Sequence, residues 1–401
     1  MEISERAKNI SPSLTLAITA KAKAMKAQGL DVVSFGAGEP DFNTPDYIIE
    51  AAKYALDKGM TKYTPVAGTI ELRKAICDTF KRDHGLDYTP DQIVVSTGGK
   101  QTLRNACEAI INPGDEVILP TPYWLTYPEL VKMSGGKCVY IHADISNDFK
   151  ITPEQLAAAI PPRTKAFIFN NPSNPNGTVY TPEETAALAR VLEDKDIYII
   201  SDEIYEKLVY GVKFTSIAAV SEKIKEKTIV CTGLSKTYSM TGWRMGYSAA
   251  PLKVAKAMSS IQSHTTSNAN SIAQYASYVA LTDPRGAEFL SKMQKTFDER
   301  RKLIVSLVRG IKGLSCNEPK GAFYVMAKLP VDDTDKFQTW LLTEFSDNNE
   351  TVMYAPGNGF HATPGHGVNE VRLAYVLKCE DIERAMDLLA KAIKQYNELN
   401  K

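Results

Sequence analysis

GLSKTYSMTGWRMG, residues 233–246, follows the short apolar run 228–232 and dominates the interpretation of this chain. The run has the composition of a buried strand, so it places Lys236 at the carboxyl end of that strand. Desolvation and the nearby cation of Arg244 lower the pKa of a lysine held there and expose its lone pair, which suits Schiff-base chemistry. Ser235 and Arg244 are suited to binding an anion such as phosphate. A surface loop with a solvated lysine is the alternative.

Short apolar runs like this one recur along the chain, each followed by a loop and usually by a helical stretch. The seven runs are 93–97, 116–119, 138–141, 166–169, 197–200, 228–232 and 246–249. Strand–helix alternation predicts an α/β fold with a large, mostly parallel, seven-stranded sheet flanked by helices. Further strands at 322–329, 351–354 and 371–376 and a final helix over 380–398 predict a smaller α+β layer. We expect an N-terminal arm (1–45) that joins the small domain, a large domain (46–285) and a small domain (286–401).

Composition excludes several classes of protein. The 401 residues carry 47 Lys plus Arg and 47 Asp plus Glu, so no global field favours nucleic acid or an anionic membrane. No apolar run approaches the length of about 18 residues that a membrane span needs. Six cysteines without a CxxC and five histidines without an HxxxH predict free thiols, no metal site and a cytoplasmic protein. Acidic Glu2 and Glu5 argue against a signal peptide and favour an amphipathic helix that ends near Gly29.

Two further strand ends carry polar side chains. The run 197–200 delivers Asp202 to a carboxyl strand end, where open α/β sheets bind ligands, with Tyr205 three residues later. Gly99 and Lys100 follow the run 93–97, at a turn that leads into a helix whose backbone N–H groups suit a phosphate. This turn is not a P-loop, because Val94 stands where the leading glycine belongs. Residues 36–38, Gly-Ala-Gly, lack the third glycine of a dinucleotide fingerprint.

Two other segments are ambiguous by themselves. Residues 170–177, NNPSNPNG, contain Asn174 but also have the composition of ordinary turns. Arg372 lies inside an apolar strand and must find an acid, either in an internal salt bridge or in the carboxylate of a ligand. Together with Lys236, Asp202 and the turn at Gly99 and Lys100, these segments fit one ligand. That ligand is a phosphorylated pyridine aldehyde held by the lysine, with the carboxylate of an amino acid beside it.

The whole chain resembles the class I aminotransferases of the pyridoxal-phosphate fold-type I superfamily, and most of all the bacterial aspartate aminotransferases of subgroup Ib. The motifs that carry the resemblance are, in the family's order, PSLTLAITAKA, GAGEPDFNTP, TKYTPVAG, STGGKQ, PYWLTYPE, NNPSNPNG, SDEIYE, GLSKTYSMTGWRMG, GAFYV and VRLAYV. The resemblance implies an enzyme with pyridoxal 5'-phosphate as cofactor, small amino and 2-oxo acids as substrates, and a homodimer with shared active sites.

The resemblance also implies a role for each matching residue. Lys236 would bind the cofactor and shuttle a proton, Asp202 would pair with its ring nitrogen, and Tyr205 and Asn174 would reach its ring oxygen. Around the phosphate and the ring it places Gly99, Lys100, Ser235, Arg244 and Trp124, with Tyr63 arriving from the second subunit. The substrate carboxylate would meet Arg372, helped by Asn174, Trp124 and the backbone at Gly38.

The resemblance implies transfer of the amino group of L-aspartate, or a similar amino acid, to 2-oxoglutarate by a ping-pong cycle. Arginine is absent from 245 through 284, where subgroup Ia enzymes would supply one, so Lys100 is the candidate for the distal carboxylate. The alternative is that Lys100 only neutralises phosphate. An aromatic or prephenate/arogenate aminotransferase remains an alternative that Ser11 weakens, since relatives often carry a basic residue there. A lyase on the same fold and a DNA-binding regulator are further alternatives, the latter opposed by the short N-terminal segment.

Overall fold

The computed structural model describes residues 1–11, 20, 24–25, 27 and 29–400. The amphipathic helix expected before Gly29 falls mostly outside these residues. The α-helices of the described part are α1 (Glu5–Lys8), α2 (Asp46–Asp57), α3 (Ile70–His84), α4 (Gly98–Ile110), α5 (Thr126–Met133), α6 (Pro153–Ala158), α7 (Pro182–Leu192), α8 (Glu222–Lys225), α9 (Leu234–Thr237), α10 (Leu252–Thr265), α11 (Ser271–Thr282), α12 (Arg285–Gly310), α13 (Thr334–Thr343) and α14 (Cys379–Leu399). No helix among them has both the length and the apolar character that crossing a membrane requires.

The strands alternate with these helices along most of the chain. They are β1 (Asp31–Ser34), β2 (Ile93–Thr97), β3 (Glu116–Thr121), β4 (Lys137–His142), β5 (Thr164–Asn170), β6 (Tyr198–Asp202), β7 (Thr228–Gly233), β8 (Met245–Ala249), β9 (Ser315–Cys316), β10 (Tyr324–Lys328), β11 (Glu350–Met353), β12 (Ala355–Pro356) and β13 (Glu370–Ala374). All seven runs predicted for the large sheet are strands, displaced at their ends by at most a few residues.

The large sheet has the strand order β2-β8-β7-β6-β5-β3-β4. Strand β8 runs antiparallel to both of its neighbours, and the other pairs are parallel. The α/β fold with a seven-stranded, mostly parallel sheet is therefore confirmed. Parallel neighbours place their carboxyl ends at one edge of the sheet, which is where open α/β folds form ligand sites. The ends of β5, β6 and β7 meet at this edge.

Local sequence fixes where two of the helices on this sheet begin. The side chain of Thr152 accepts a hydrogen bond from the backbone N–H of Gln155. In return, Oε1 of Gln155 accepts a hydrogen bond from the backbone N–H of Thr152. Thr181 and Glu184 form the same capping box at the start of α7. A proline follows each threonine at the first helical position, where its missing N–H costs nothing. Such a cap contributes about 1 kcal/mol to helix stability, so these starts are encoded locally.

The second layer differs in one respect from the expected arrangement. Strands β12, β13, β10 and β9 form a four-stranded antiparallel sheet, in that order. Strand β11 is not part of it, because β11 pairs in parallel with β1 from the N-terminal arm. Val32, Val33, Val352 and Met353 are buried on this pair, and Arg384 bridges its Asp31 and Glu350 ends. The domain boundaries at 45/46 and 285/286 stay a prediction.

Candidate active site

A cavity of about 340 Å³ opens at the carboxyl ends of β5, β6 and β7. Its wall contains every predicted site residue except Tyr63: Gly38, Gly99, Lys100, Trp124, Asn174, Asp202, Tyr205, Ser235, Lys236, Arg244 and Arg372. Tyr63 lies on the surface with its side chain exposed (92%). The fold thus gathers residues from seven separate motifs into one cavity.

Lys236 follows the end of β7 within the single turn of α9, which turns its amine into the cavity. The ammonium Nζ donates a hydrogen bond to the carbonyl oxygen of Gly38. Burial lowers the pKa of Lys236 to about 8; Glu39 opposes this shift, and the cations Arg244 and Arg372 reinforce it. The residues described by the structure place no carboxylate in an ion pair with this amine. The lowered pKa increases the share of Lys236 that is a neutral, nucleophilic amine near neutral pH relative to an ordinary lysine.

Asp202 is a buried carboxylate at the last position of β6. The Tyr127 hydroxyl donates to its Oδ2 at 2.7 Å, and the backbone N–H of Ile204 donates to its Oδ1 at 3.2 Å. Burial raises the pKa of Asp202 to about 6, and these two hydrogen bonds limit the rise. No cation in the described chain forms a salt bridge with this carboxylate. A bound group with a positive ring nitrogen would satisfy it.

The start of α4 and the end of the loop before β8 form a site for an anion. Gly98 opens the helix at φ +78°, and Thr97, the residue before it, provides no side-chain cap for the first N–H groups. A side chain at Gly246 would place its Cβ 2.4 Å from the Gly98 carbonyl carbon, so glycine lets β8 lie against the helix start. This close approach brings Arg244 beside Gly98. In the described structure Arg244 forms no ion pair, and its Nη1 donates only to the Thr241 carbonyl, at 2.8 Å.

Arg372 lies on β13 and is almost fully buried (1% exposed). Its Nη1 donates to Asn174 Oδ1 at 3.0 Å and its Nη2 to the Gly36 carbonyl at 3.2 Å, while Nε has no partner. The guanidinium carbon stands 4.4 Å from the ring centroid of Tyr324. Among the described residues no carboxylate forms a salt bridge with it, so the internal salt bridge considered from the sequence is wrong. A buried cation with only neutral partners favours a ligand carboxylate.

Two residues of the cavity were quoted in sequence motifs without a role. Tyr127 holds Asp202, and Tyr324 places its hydroxyl 3.0 Å from the hydroxyl of Tyr205. Strand pairing would have identified Tyr324, because it lies opposite Ala374, two residues along the same face from Arg372. Tyr127 carries a weaker signal, since it lies three residues after Trp124 at the start of α5 and packs edge-to-face on that ring.

Lys100 marks the mouth of the cavity. Its side chain is exposed, and its Nζ lies 5.2 Å from the centroid of the Trp124 ring. Desolvation of the amine, followed by the charge of Arg244, lowers its pKa. The same residue also lines an adjoining, larger cavity of about 990 Å³. Lys100 therefore lies where the two cavities adjoin.

Comparisons with known proteins agree on one family. The family model for "aminotransferase class I and II" matches residues 30–389. An aspartate aminotransferase of Bacillus subtilis is 45% identical over 99% of this chain and 100% of its own length. An aspartate/prephenate aminotransferase of Cereibacter sphaeroides is 51% identical over 80% of this chain and 81% of its own. The structure of a Thermus thermophilus aspartate aminotransferase with maleate superimposes with a TM-score of 0.92 at 39% identity, covering 98% of this chain and all of that one.

Proposed function

Because the chain belongs to the class I and II aminotransferase family, we propose that it transfers the amino group of L-aspartate, or of a similar amino acid, to 2-oxoglutarate. The observation that carries this proposal is a lysine amine of lowered pKa and a buried arginine without a carboxylate partner among the described residues, both in one cavity. The amine suits covalent catalysis, and the guanidinium suits a carboxylate with bidentate geometry. Relatives whose names specify aspartate support the choice of donor.

The cofactor of this family is pyridoxal 5'-phosphate, and the cavity fits it. When bound, the cofactor supplies an electron sink for the charge that forms at the substrate Cα. The uncapped start of α4 with Gly99, together with Ser235 and Arg244, offers N–H, hydroxyl and guanidinium donors for a phosphate. Asp202 offers the carboxylate for a protonated ring nitrogen, and Lys236 the amine for an aldehyde.

The chain's own residues would then orient the reactants and move one proton. Asp202 accepts an ionic hydrogen bond, worth about 1.5–3 kcal/mol, and so keeps the ring nitrogen charged. Tyr205 and Asn174, which line the cavity, would contact the ring oxygen, and Trp124 would cover the ring face. Lys236, once displaced by the amino group of the substrate, remains within the cavity as a base with a pKa of about 8. Such a base can take the proton from Cα and return it to a neighbouring carbon.

Substrate recognition would divide between two cations at different depths. Arg372, with Asn174 beside it, would bind the α-carboxylate that every amino donor carries. Lys100, exposed at the mouth, would bind the distal carboxylate of aspartate or glutamate. The relative whose structure contains maleate, a dicarboxylate, supports this division. The alternative for Lys100, a role limited to neutralising the cofactor phosphate, predicts no preference among donors.

A second candidate is an aspartate/prephenate aminotransferase, because a relative at 51% identity bears that name. The sequence argument against it rests on Ser11, where a basic residue is expected. Ser11 donates its backbone N–H to Glu129 at 3.3 Å and lines the cavity that adjoins Lys100. This position therefore lies near the path of a larger acceptor, and a basic side chain is missing there.

The shared active site is part of the same proposal. The exposed phenol of Tyr63 would complete the phosphate site of a second copy of the chain. Hybrid dimers test this, since mixing Lys236→Ala with Tyr63→Ala creates one site with both intact side chains. Recovery of cofactor affinity on mixing supports the shared site. A mixture that binds the cofactor as weakly as the two separate variants contradicts it.

Six free cysteines fit a reducing compartment, for which we propose the cytoplasm.

A donor and acceptor screen tests the proposed reaction. The purified enzyme receives aspartate, phenylalanine, alanine or arogenate with 2-oxoglutarate, and aspartate with prephenate as acceptor. Aspartate with 2-oxoglutarate is expected to give the highest kcat/KM. A higher value for arogenate formation would favour the second candidate. Catalytic release of alanine and CO2 from aspartate alone would identify a decarboxylating lyase and overturn amino transfer.

A further inference from the structure

Three histidines from two distant parts of the chain meet near the end of β4, the edge strand of the large sheet. This histidine cluster consists of His142, His361 and His366, and one ring nitrogen from each lies within 4.8 Å of the others. His142 ends β4, whereas the other two lie in the loop that leads into β13. The Nδ1 atoms of His142 and His366 are 3.3 Å apart, although they are separated by 224 residues in sequence. Sequence spacing alone could not show this cluster.

The buried member of the cluster has an unused ring nitrogen. The side chain of His361 is 1% exposed, and its Nε2 bonds with Oε2 of Glu370 at 2.9 Å. Its Nδ1 has no hydrogen-bond partner among the residues that the structure describes. In the neutral ring a carboxylate at Nε2 favours the tautomer with the proton on that nitrogen, which leaves the lone pair on Nδ1. Metal-binding histidines are oriented by a carboxylate in this way.

His142 repeats part of this arrangement. Its Nε2 lies 4.0 Å from Oδ2 of Asp144, while its Nδ1 faces His366. The hydroxyl of Thr121 lies 3.4 Å from the same Nδ1 and can rotate away when another partner arrives. The Nδ1 atoms of His142 and His366 thus face each other, and one ring nitrogen of His361 lies within 4.8 Å of the two. His142 and His361 each have a carboxylate near Nε2.

We propose that the histidine cluster binds one divalent transition-metal ion of the zinc class through three imidazole nitrogens, with water completing the coordination. Imidazole is a preferred ligand for zinc, copper and nickel, and three histidines with one open position form a common zinc arrangement. None of the three histidines lines the cavity around Lys236. The proposal is therefore independent of the proposed function.

The position of the cluster indicates what the ion would do. It would connect the end of β4, at the edge of the large sheet, to the loop that immediately precedes β13 and Arg372. The backbone N–H of Tyr123 already bonds the Phe360 carbonyl at 2.9 Å across the same junction. A metal ion there would fasten the two layers together and stabilise the folded state without entering the reaction.

Zinc titration of the untagged holoenzyme tests the proposal by calorimetry and metal analysis. We expect one tight equivalent per chain, a visible d–d spectrum with Co²⁺, and a higher Tm with Zn²⁺. His142→Ala and His366→Ala, both outside the buried core, should each lower zinc affinity by at least about tenfold, and Glu370→Gln by about 10- to 100-fold. His264→Ala, an exposed histidine on α10, is the matched control and should leave zinc affinity unchanged.

The result that would overturn the proposal is equally specific. Zinc binding of the parent that persists unchanged in both His142→Ala and His366→Ala belongs elsewhere, for example to the cofactor. Fewer than one tight equivalent in the parent contradicts the site directly. Transaminase activity of the metal-free variants serves as the check that they fold, since these residues do not line the catalytic cavity.

Discussion

Two buried arginines in the C-terminal part of the chain have opposite surroundings. Arg300 forms a bidentate ion pair with Asp41 at 2.7 and 2.8 Å and donates to the Val376 carbonyl. Arg372 has only neutral acceptors, and its Nε has no partner. The first satisfies its charge within the fold, so its role is structural. The second leaves a charge that a ligand must satisfy, and this difference marks the catalytic cavity.

Two partly buried lysines, Lys207 and Lys236, differ in the same way as the two arginines: the first has carboxylate partners within the fold, and the second forms no salt bridge among the described residues. In the buried cluster away from the cavity, Lys207 lies 2.6 Å from Asp83, and Glu206 lies 2.5 Å from His84. Burial alone would lower the pKa of Lys207, but Glu206 and Asp83 raise it. Lys236, surrounded mainly by cations, keeps the lowered pKa that burial imposes. The direction of the pKa shift therefore distinguishes the ion-paired Lys207 from Lys236, the lysine proposed to react.

Exchange of the two lysines for alanine should give the largest contrast. Lys236→Ala removes the covalent anchor and the base, so kcat should fall by about a thousandfold or more, with loss of the visible absorbance of bound cofactor. Lys207→Ala should retain that absorbance and most turnover while lowering the Tm. Spectra, steady-state rates and thermal unfolding check both variants. Full activity in Lys236→Ala would refute the mechanism.

The two arginines should separate binding from stability. Arg372→Leu removes the proposed α-carboxylate partner, so kcat/KM should fall by about 30-fold or more for all amino donors alike, since truncating one partner of a buried charge pair costs about 2–5 kcal/mol. Its stability should not fall, because the native charge is unpaired. Arg300→Leu should instead lose about 1.5–3 kcal/mol of unfolding free energy. Denaturant titration measures the unfolding free energy, and kcat/KM for a series of amino donors measures binding. A loss of stability in Arg372→Leu but not in Arg300→Leu would contradict the roles given to the two arginines.

Tyr127→Phe should sharpen the account of Asp202. The variant loses the hydroxyl that limits the rise in the pKa of Asp202, so that pKa should move above about 6. Activity needs the ionised carboxylate and is lost as pH falls through this pKa, so the acidic limb of kcat/KM should shift to higher pH. Turnover should drop by about tenfold. Tyr180→Phe, whose hydroxyl accepts from the Ile151 N–H, is the control, and an unshifted limb in Tyr127→Phe would contradict the role.

Lys100→Ala should produce a smaller and selective effect. An exposed ion pair contributes up to about 1 kcal/mol, so kcat/KM for aspartate should fall about fivefold more than for phenylalanine. Lys132→Ala, which lines only the adjoining cavity, should leave the ratio unchanged. Kinetics with both donors measure the ratio. Equal losses for the two donors would exclude the distal-carboxylate role and favour neutralisation of phosphate.

His84→Gln should affect stability and leave activity nearly unchanged. Although burial lowers the pKa of His84, the Glu206 hydrogen bond raises it overall, and the pKa of Glu206 is lowered. The stabilisation from His84 is complete below its ordinary pKa of 6.5 and is lost as pH rises through the folded value. The stabilisation from Glu206 is complete above its ordinary pKa of 4.5 and is lost as pH falls through its lowered pKa in the folded protein. The Tm difference from the parent should therefore be largest between these limits; a constant difference across pH would contradict the pairing.

Local signals allowed the sequence to predict the strands of the large sheet and most of the cavity. Each of those strands contains a short apolar run, and Asp202 and Lys236 lie at or just after the ends of two of them. The short strands β1, β9 and β12 carry no such signal and are absent from the prediction. What the sequence could not show depends on contacts between distant segments. The pairing of β1 with β11, the bond from Tyr127 to Asp202 and the meeting of His142 with His366 all join residues far apart in the chain. Only the folded chain brings them together.

The half-reaction with aspartate alone tests the central claim most directly. The holoenzyme, without any oxo acid, is mixed with excess aspartate while its visible spectrum and the products are followed. The account predicts one oxaloacetate per active site, loss of the visible absorbance, and its return when 2-oxoglutarate is added. An unchanged spectrum without oxaloacetate, or continuous release of alanine and CO2, would contradict it.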